Sequence, residues 1–319
     1  MTTNDIHVVF GANGGSGAAI VRQLVAQGKR VRAVSRSGGT AAGGQVEVVR
    51  ADASDAASAR AACKDATAVY HCVGVPYSDW AARLPPIMEA LIGAAGAASA
   101  PLVYVDNLYM YGPQDRPLTE DMPYRATGKK GMLRAQLAER LLAAHANGQV
   151  RATIARSSEF YGPGVSTAYT NDAWFRGILA GKQAMWVGNL DVPHTMTYID
   201  DFARTVVTLG EQPEALGEVW HVPTAPALSG REFLTLAFAE AEQPAKISSL
   251  PRWMLQLVGL VNPQAREFAE VVYMYERPFT VDGTKFTQAF GFTPTPQREA
   301  IGATLDWLRA PQAAVALPQ

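Results

Sequence analysis

The chain has 319 residues, with 28 Lys and Arg against 29 Asp and Glu, a formal net charge of −1 at pH 7. A chain of this length can bury a large core, and its near-neutral charge gives no reason to expect nucleic acid as a partner. The two cysteines, Cys63 and Cys72, can define neither a disulfide framework nor a zinc site, so we expect no metal and a reducing, cytoplasmic location.

Short β-branched runs alternate with Ala-rich and Leu-rich helical stretches through the first half of the chain. The predicted strands are residues 6–10, 31–35, 46–50, 68–73, 102–106 and 152–156. They are continuous apolar runs, as expected of parallel strands covered on both faces, and the stretches between them are long enough for crossover helices. The pattern predicts an α/β fold: a Rossmann doubly wound parallel sheet with a smaller C-terminal substrate lobe.

The regular alternation ends near residue 165. We assign residues 1–165, with strands and a helix from about 195–225, to an NAD(P)-binding Rossmann domain, and residues 166–195 and 226–319 to a substrate-binding lobe. The start of the chain lacks the pattern of a signal peptide, and the apolar run at 253–261 is too short to span a bilayer. We therefore expect no membrane partner, and a loose end at 314–319.

A glycine-rich turn, GANGGSG, follows the first predicted strand and opens the first helix. Glycine at these positions allows a tight turn, a close approach of backbone N–H groups to a pyrophosphate, and contact between helix and strand. Because strand, turn and helix occur in the right order, the sequence predicts a nucleotide site. The residues of this predicted cradle are Gly11, Asn13, Gly14, Gly15, Ser16 and Gly17.

The end of the second strand indicates which nicotinamide dinucleotide binds. A carboxylate there would bond the ribose diol of NAD, but no acid occurs between Lys29 and Gln45. Arg36 can instead bind the 2′-phosphate of NADP, because its guanidinium donates hydrogen bonds to phosphate oxygens. We predict NADP, with NAD as the alternative; Arg36 could also be a solvated surface arginine. Asp52 either contacts the adenine side or caps a helix.

Further cofactor contacts are predicted at the ends of later strands and on one helix. They are Ala53, Val73, Gly74, Val75, Val105, Lys130 and Ser157.

These motifs, together with VDNLYMYGP at 105–113, RSSEFYGPG at 156–164 and TYIDDFA at 197–203, resemble the extended and atypical short-chain dehydrogenase/reductases. Over roughly the first 225 residues the chain looks like the NAD-dependent epimerase/dehydratase family. The resemblance implies a Rossmann fold, a bound nicotinamide cofactor, a lobe that closes over a small-molecule substrate, and a homodimer formed through helices of the Rossmann half.

The usual Ser-Tyr-Lys proton relay of that family is absent. By position, Asn107 replaces the Ser or Thr, and Gly131 and Ala135 replace the Tyr and the Lys, if Glu139 is the acid that follows them. Lys130 is followed four residues later by Arg134, and this spacing resembles the isoflavone-reductase-like branch of these enzymes. In that branch a helix lysine replaces the tyrosine, and Lys130 is the matching residue.

The neighbourhood offers substitutes for the lost relay. We predict that Lys130, Tyr109 or water handles the proton. Asn107 can hydrogen-bond a substrate carbonyl or the nicotinamide amide, although it cannot act as an acid.

A second departure concerns the substrate. Glu159 occupies the place where nucleotide-sugar members commonly have Asn near the diphosphate, and a carboxylate there would repel a diphosphate. The aromatic residues of the lobe fit a less polar ligand; they are Trp174, Trp186, Tyr198 and Trp220, of which Trp220 reads as core.

Together these features predict an NADP(H)-dependent oxidoreductase acting on a small carbonyl or conjugated substrate. The alternatives are a sugar epimerase or dehydratase, and a regulator that senses NADP without catalysis.

Overall fold

The structure, a computed structural model, describes residues 5–38, 44–260 and 263–310. The predicted loose end at 314–319 lies outside these ranges. The strands are β1 (Ile6–Phe10), β2 (Arg30–Ser35), β3 (Val46–Arg50), β4 (Ala66–His71), β5 (Leu102–Asp106), β6 (Ala152–Arg156), β7 (Glu159–Tyr161), β8 (Ala184–Val187), β9 (Pro193–His194), β10 (Met196–Tyr198), β11 (Val219–His221), β12 (Leu228–Ser229) and β13 (Ile247–Leu250).

The helices alternate with these strands in the first half of the chain and dominate the second half. They are α1 (Gly15–Ala26), α2 (Ala56–Ala62), α3 (Trp80–Ala97), α4 (Lys129–Ala146), α5 (Asp172–Leu179), α6 (Ile199–Glu211), α7 (Gly230–Glu240), α8 (Arg252–Gly259), α9 (Pro263–Phe268), α10 (Thr284–Phe290) and α11 (Gln297–Arg309). Short 3₁₀ turns lie at Tyr77–Asp79, Tyr109–Tyr111, Pro213–Ala215 and Val272–Tyr275.

Seven parallel strands form the central sheet, in the spatial order β11-β6-β5-β4-β1-β2-β3. Helices α1 and α6 pack together on one face, and α2, α3 and α4 cover the other. The predicted doubly wound Rossmann fold is therefore confirmed. The carboxyl ends of parallel strands meet at one edge of a sheet, and every residue predicted to contact the cofactor, apart from Lys130, follows a strand or lies in its last two residues at that edge.

One predicted strand is displaced along the chain. The fourth strand was expected at 68–73 but runs over Ala66–His71. The Cys72 N–H still donates to the Phe10 carbonyl (2.9 Å), whereas the Val73 N–H turns to the His71 ring (3.3 Å). The ladder thus ends at Cys72, although the apolar run continues past it.

Most of the aromatic residues considered for the substrate site lie in the core instead. Trp186, Tyr198 and Trp220 are buried, so they support the fold. Trp174 is half-buried at the start of α5. No helix within the described residues is long and apolar enough to cross a membrane.

Candidate active site

The glycine-rich turn forms a tight cradle between β1, β4 and α1. Gly11 has a φ of +82°, and a Cβ on it would lie 2.5 Å from the Cys72 carbonyl oxygen. A Cβ on Gly17 would overlap the Gly11 carbonyl, so α1 approaches the turn as closely as glycine allows. Gly14 is the N-cap of α1 and makes no side-chain cap bond, which leaves the first N–H groups of the helix available to an anion.

The end of β4 is open where the cradle needs space. Gly74 is exposed, and a Cβ built on it would meet no atom within 4 Å. The neighbouring Val73 and Val75 are half-buried. The tight turn, the uncapped helix start and this open edge together fit the pyrophosphate and the adjoining ribose of an NAD(P) molecule.

Asn13 connects the cradle to the end of β2. Its side-chain nitrogen donates to the hydroxyls of Ser35 (3.1 Å) and Ser37 (3.0 Å), and to the Gly38 carbonyl (3.3 Å). These bonds hold the Ser35-Arg36-Ser37 tip beside the glycine turn, with Arg36 exposed. Asn13 therefore shapes the region that would meet the adenosine ribose.

Asp52 does not cap a helix, which removes one of its two predicted roles. The N-cap of α2 is Asp55, whose carboxylate accepts the Ser58 N–H at 2.6 Å. Asp52 accepts the N–H (2.9 Å) and the hydroxyl (2.7 Å) of Ser54. These bonds lower the pKa of Asp52, with smaller contributions from Arg83 and Arg36. Asp52 is thus a charged group near Arg36, on the adenine side of the sheet edge.

The other predicted contacts differ in how far they are exposed. Ala53 and Ser157 are buried, whereas Gly15, Ser16 and Val105 are half-buried. Gly15 lies beside the YGPG turn that follows β7, since a Cβ on it would be 3.3 Å from the Gly164 carbonyl oxygen.

The structure leaves no room for a side chain at Gly131, the α4 position that the sequence matches to the family's tyrosine. A Cβ on Gly131 would lie 2.6 Å from the Tyr109 carbonyl oxygen and would overlap the Ala126 methyl. The 3₁₀ turn at Tyr109–Tyr111 therefore packs directly on α4, and no side chain fits at position 131. The family relay is replaced by a different packing, not merely by different residues.

The Tyr109 hydroxyl is hydrogen-bonded to the Tyr77 hydroxyl at 2.9 Å. Tyr77 comes from the turn after β4, and sequence reasoning missed it because a lone tyrosine in a loop carries no motif. Burial raises the pKa of both tyrosines, and that of Tyr109 lies well above its usual value. Asn107 accepts the Tyr109 N–H through its side-chain oxygen at 3.0 Å, which fixes the turn.

Lys130 is buried near Tyr77 and is held by two carboxylates. Its Nζ donates to Glu267 Oε2 (2.6 Å) and Glu270 Oε2 (3.1 Å), and it lies 5.2 Å from the centre of the Tyr77 ring. Burial lowers the pKa of Lys130, but the two glutamates outweigh this effect and raise it. Glu270 also accepts the Lys130 backbone N–H at 2.8 Å. Lys130 thus fastens the region around α9 to the start of α4.

A buried cluster of charged side chains lies at the carboxyl ends of β5 and β6. The strand register places Asp106 beside Arg156, with an ion pair at 3.3 Å. Arg134 also reaches Asp106 at 3.3 Å, donates to the Tyr104 hydroxyl at 2.6 Å, and lies 4.2 Å above the Trp80 ring. Its buried Nε has no hydrogen-bond partner among the described residues. Arg134 is anchored to the sheet, leaving that N–H unsatisfied.

Glu159 faces the same region from β7. Its carboxylate accepts the Tyr169 N–H at 2.9 Å and the Tyr275 hydroxyl at 3.0 Å. Burial raises its pKa, and the two hydrogen bonds only partly offset this.

The fold and this edge of the sheet define a Rossmann protein built to bind a nicotinamide dinucleotide. A family model described as the NAD dependent epimerase/dehydratase family matches residues 7–222, about two thirds of the chain. The chain belongs to this family. The curated proteins include no sequence with significant similarity to it.

Solved structures with the same fold cover nearly the whole chain. The protein gox2253 has a TM-score of 0.78 at 21% identity and covers 96% of this chain and 98% of its own. UDP-glucuronic acid 4-epimerase from Bacillus cereus, in complex with UDP-glucuronic acid and NAD, has a TM-score of 0.76 at 17% identity. The match covers 95% of this chain and 99% of the epimerase. DesIV, a dTDP-glucose 4,6-dehydratase from Streptomyces venezuelae with NAD and TYD bound, has a TM-score of 0.75 at 18% identity. The match covers 95% of this chain and 97% of DesIV. At these identities the likeness concerns the fold alone.

Proposed function

We propose that this protein is an NADP(H)-dependent oxidoreductase that reduces a small carbonyl or conjugated substrate. The observation that carries the proposal is the site itself: a dinucleotide cradle leads to a hydroxyl pair, Tyr77 and Tyr109, close to the buried ammonium of Lys130. Asn107 lies just before Tyr109 and offers an amide.

The preference for NADP rests on the end of β2. Arg36 is exposed beside the cradle, and its guanidinium can form charge-assisted bonds to a 2′-phosphate. The sequence has no acid between residues 29 and 45 that would repel this phosphate or bond the ribose diol. Structural relatives are named as complexes with NAD, so the cofactor preference is a specific property proposed for this chain.

When bound, NADPH supplies the hydride. The chain supplies the proton: the Tyr109 hydroxyl is protonated at neutral pH, as any tyrosine is, so it can donate to a carbonyl oxygen. Burial raises its pKa, which makes it a weaker acid than a free tyrosine. Tyr77, at 2.9 Å, can then return a proton to Tyr109 and take up a replacement from solvent water. The Lys130 ammonium favours the negative charge that develops on the oxygen atoms during this transfer.

A sugar-nucleotide epimerase or dehydratase is the second candidate, because two structural relatives carry those names. Glu159 argues against it, since a carboxylate beside a diphosphate costs roughly 1 to 4 kcal/mol of repulsion at intermediate dielectric. The tight contact at Gly131 also excludes the family's tyrosine from α4.

The test is a cofactor-consumption screen. Purified protein is mixed with NADPH or NADH and with aldehydes, ketones and enones. In a second set it is mixed with NAD⁺ or NADP⁺ and with UDP-sugars and dTDP-sugars, because an epimerase or dehydratase first oxidises the sugar. The proposal expects carbonyl-dependent oxidation of NADPH in preference to NADH. Conversion of a sugar nucleotide without net cofactor consumption would support the second candidate, and tight NADPH binding without any turnover would support a regulator.

A further inference from the structure

Glu159 is a half-buried carboxyl group that forms no ion pair with any of the described residues. Its hydrogen-bond partners, the Tyr169 N–H and the Tyr275 hydroxyl, are both neutral. They fix both carboxyl oxygens in place without balancing a charge. A carboxylate removed from water without a cation is costly, so the pairing charge has to come from elsewhere or the group becomes neutral.

Two tyrosines contact this carboxyl group directly: the Tyr169 N–H and the Tyr275 hydroxyl donate to it, and the centroids of their rings lie 6.3 Å apart. Burial raises the pKa values of Tyr77, Tyr109, Tyr169 and Tyr275, and the negative charge of Glu159 raises each of them further. The first three rings are half-buried and border the site. The negative faces of aromatic rings attract cations, and above all ammonium groups.

The ring nearest to the carboxyl is held rigidly. Tyr275 stacks on His194, with ring centroids 4.5 Å apart and an interplanar angle of 11°, and Phe268 packs against Tyr275 at a centroid distance of 5.7 Å. Burial lowers the pKa of His194 to about 4, so this histidine is neutral at pH 7 and supplies no cation.

The cations of the site are already engaged. Lys130 is shared between Glu267 and Glu270, while Arg134 and Arg156 are anchored to Asp106 at the sheet edge. In this cluster of side chains, four carboxylates, those of Glu159, Glu267, Glu270 and Asp106, therefore face three cations, and Glu159 is the one without a cationic partner among the described residues. The electrostatic character of the cluster favours a positively charged ligand.

We propose that Glu159 and the surrounding tyrosine rings bind a positively charged ammonium group on the carbonyl substrate. This inference rests on the proposed function, because it names the substrate class of the same site. The ammonium would balance the Glu159 carboxylate, while the carbonyl group reaches the Tyr77 and Tyr109 hydroxyls.

The test uses pairs of ligands with the same shape and different charge. Choline and 3,3-dimethylbutan-1-ol differ only in a nitrogen cation replacing a carbon atom, and benzyldimethyl(2-hydroxyethyl)ammonium with its all-carbon isostere forms a larger pair. Binding to the NADPH-saturated protein, where an alcohol cannot be oxidised, is measured by calorimetry. We expect the ammonium member of at least one pair to bind about tenfold or more tightly than its isostere.

Two variants locate the effect. Glu159→Gln keeps the shape and the acceptor oxygen but removes the charge, and should bind both members of a pair equally. Glu120→Gln is the matched control: Glu120 is also half-buried, accepts the His221 N–H at 2.8 Å, and has a pKa raised by burial, yet it lies outside the site. It should keep the preference. Equal binding within both pairs, no binding by either, or a preference that survives Glu159→Gln would overturn the inference.

Turnover separates this inference from the proposed function. Betaine aldehyde and 3,3-dimethylbutanal are the corresponding substrates, followed by NADPH absorbance. Reduction of the neutral aldehyde without any ammonium preference would leave the function standing and overturn the substrate class. Preferential ammonium binding without reduction of any carbonyl compound would leave the ammonium site standing and overturn the proposed function.

Discussion

At the residue scale, we propose that Arg36 gives the cradle its preference for NADPH. Replacing it with alanine removes a charge-assisted contact worth roughly 1.5 to 3 kcal/mol, so NADPH should bind ~10- to 150-fold more weakly. NADH affinity should stay the same because NADH lacks the 2′-phosphate. Arg60→Ala, on α2, is the control for a lost surface charge. Fluorescence titration measures the affinity of the wild type and of both variants for each cofactor, and equal binding of NADPH and NADH by the wild type would refute the assignment.

Lys130 carries the second prediction at this scale. Lys130→Ala should lower kcat by one to several orders of magnitude, because the positive charge next to the hydroxyl pair is lost. Lys129→Ala is the matched control, since Lys129 is adjacent but exposed. If turnover survives in Lys130→Ala, the lysine only holds Glu267 and Glu270, and Tyr109 becomes the main candidate.

The pH dependence of turnover provides a further check on Lys130. The two glutamates raise the pKa of Lys130 above its usual 10.5, so the ammonium stays charged throughout the neutral range. Its contribution would be lost only as the pH rises through that elevated pKa. We therefore expect the wild type and Lys130→Ala to have pH profiles of kcat with the same shape between about pH 6 and 9. A pH-dependent change that is present in the wild type and absent from the variant would mean that Lys130 titrates within this range.

At the scale of elements, the contact between α4 and the Tyr109–Tyr111 turn is the structural reason for the lost relay. Gly131→Ala should destabilise the protein by ~1 to 3 kcal/mol, since the new methyl overlaps Ala126 and the Tyr109 carbonyl. Gly93→Ala, on the exposed face of α3 with nothing within 4 Å, should instead stabilise it by about 0.5 to 1 kcal/mol. Denaturant unfolding measures both. A neutral Gly131→Ala would show that α4 can move away from the turn.

The elements themselves could be predicted because their signals are local. Continuous apolar runs marked the central strands, and the glycine spacing marked the cradle. The shifted end of β4 could not be predicted, because it depends on the Val73 N–H turning to the His71 ring. Asp52 and Asp55 are equally good caps in sequence, and only the Ser58 contact distinguishes them.

At the scale of the whole molecule, the candidate site joins residues that are far apart in the chain. The pairing of Lys130 with Glu267 and Glu270 spans 137 and 140 positions, and that of Glu159 with Tyr275 spans 116. No local pattern predicts such contacts, which explains why Tyr77, Tyr275 and the two glutamates were missed. The expected homodimer and cytoplasmic location stay predictions.

We propose that the reaction was moved to new residues and was not lost. The most direct measurement uses NADPH carrying deuterium at the reactive C4 position, mixed with the wild-type protein and the carbonyl panel, with the alcohols analysed by mass spectrometry. We predict one deuterium on the former carbonyl carbon of at least one product. Bound NADPH with no deuterium transferred to any compound, betaine aldehyde included, would contradict the claim and favour a protein that binds the cofactor without using it.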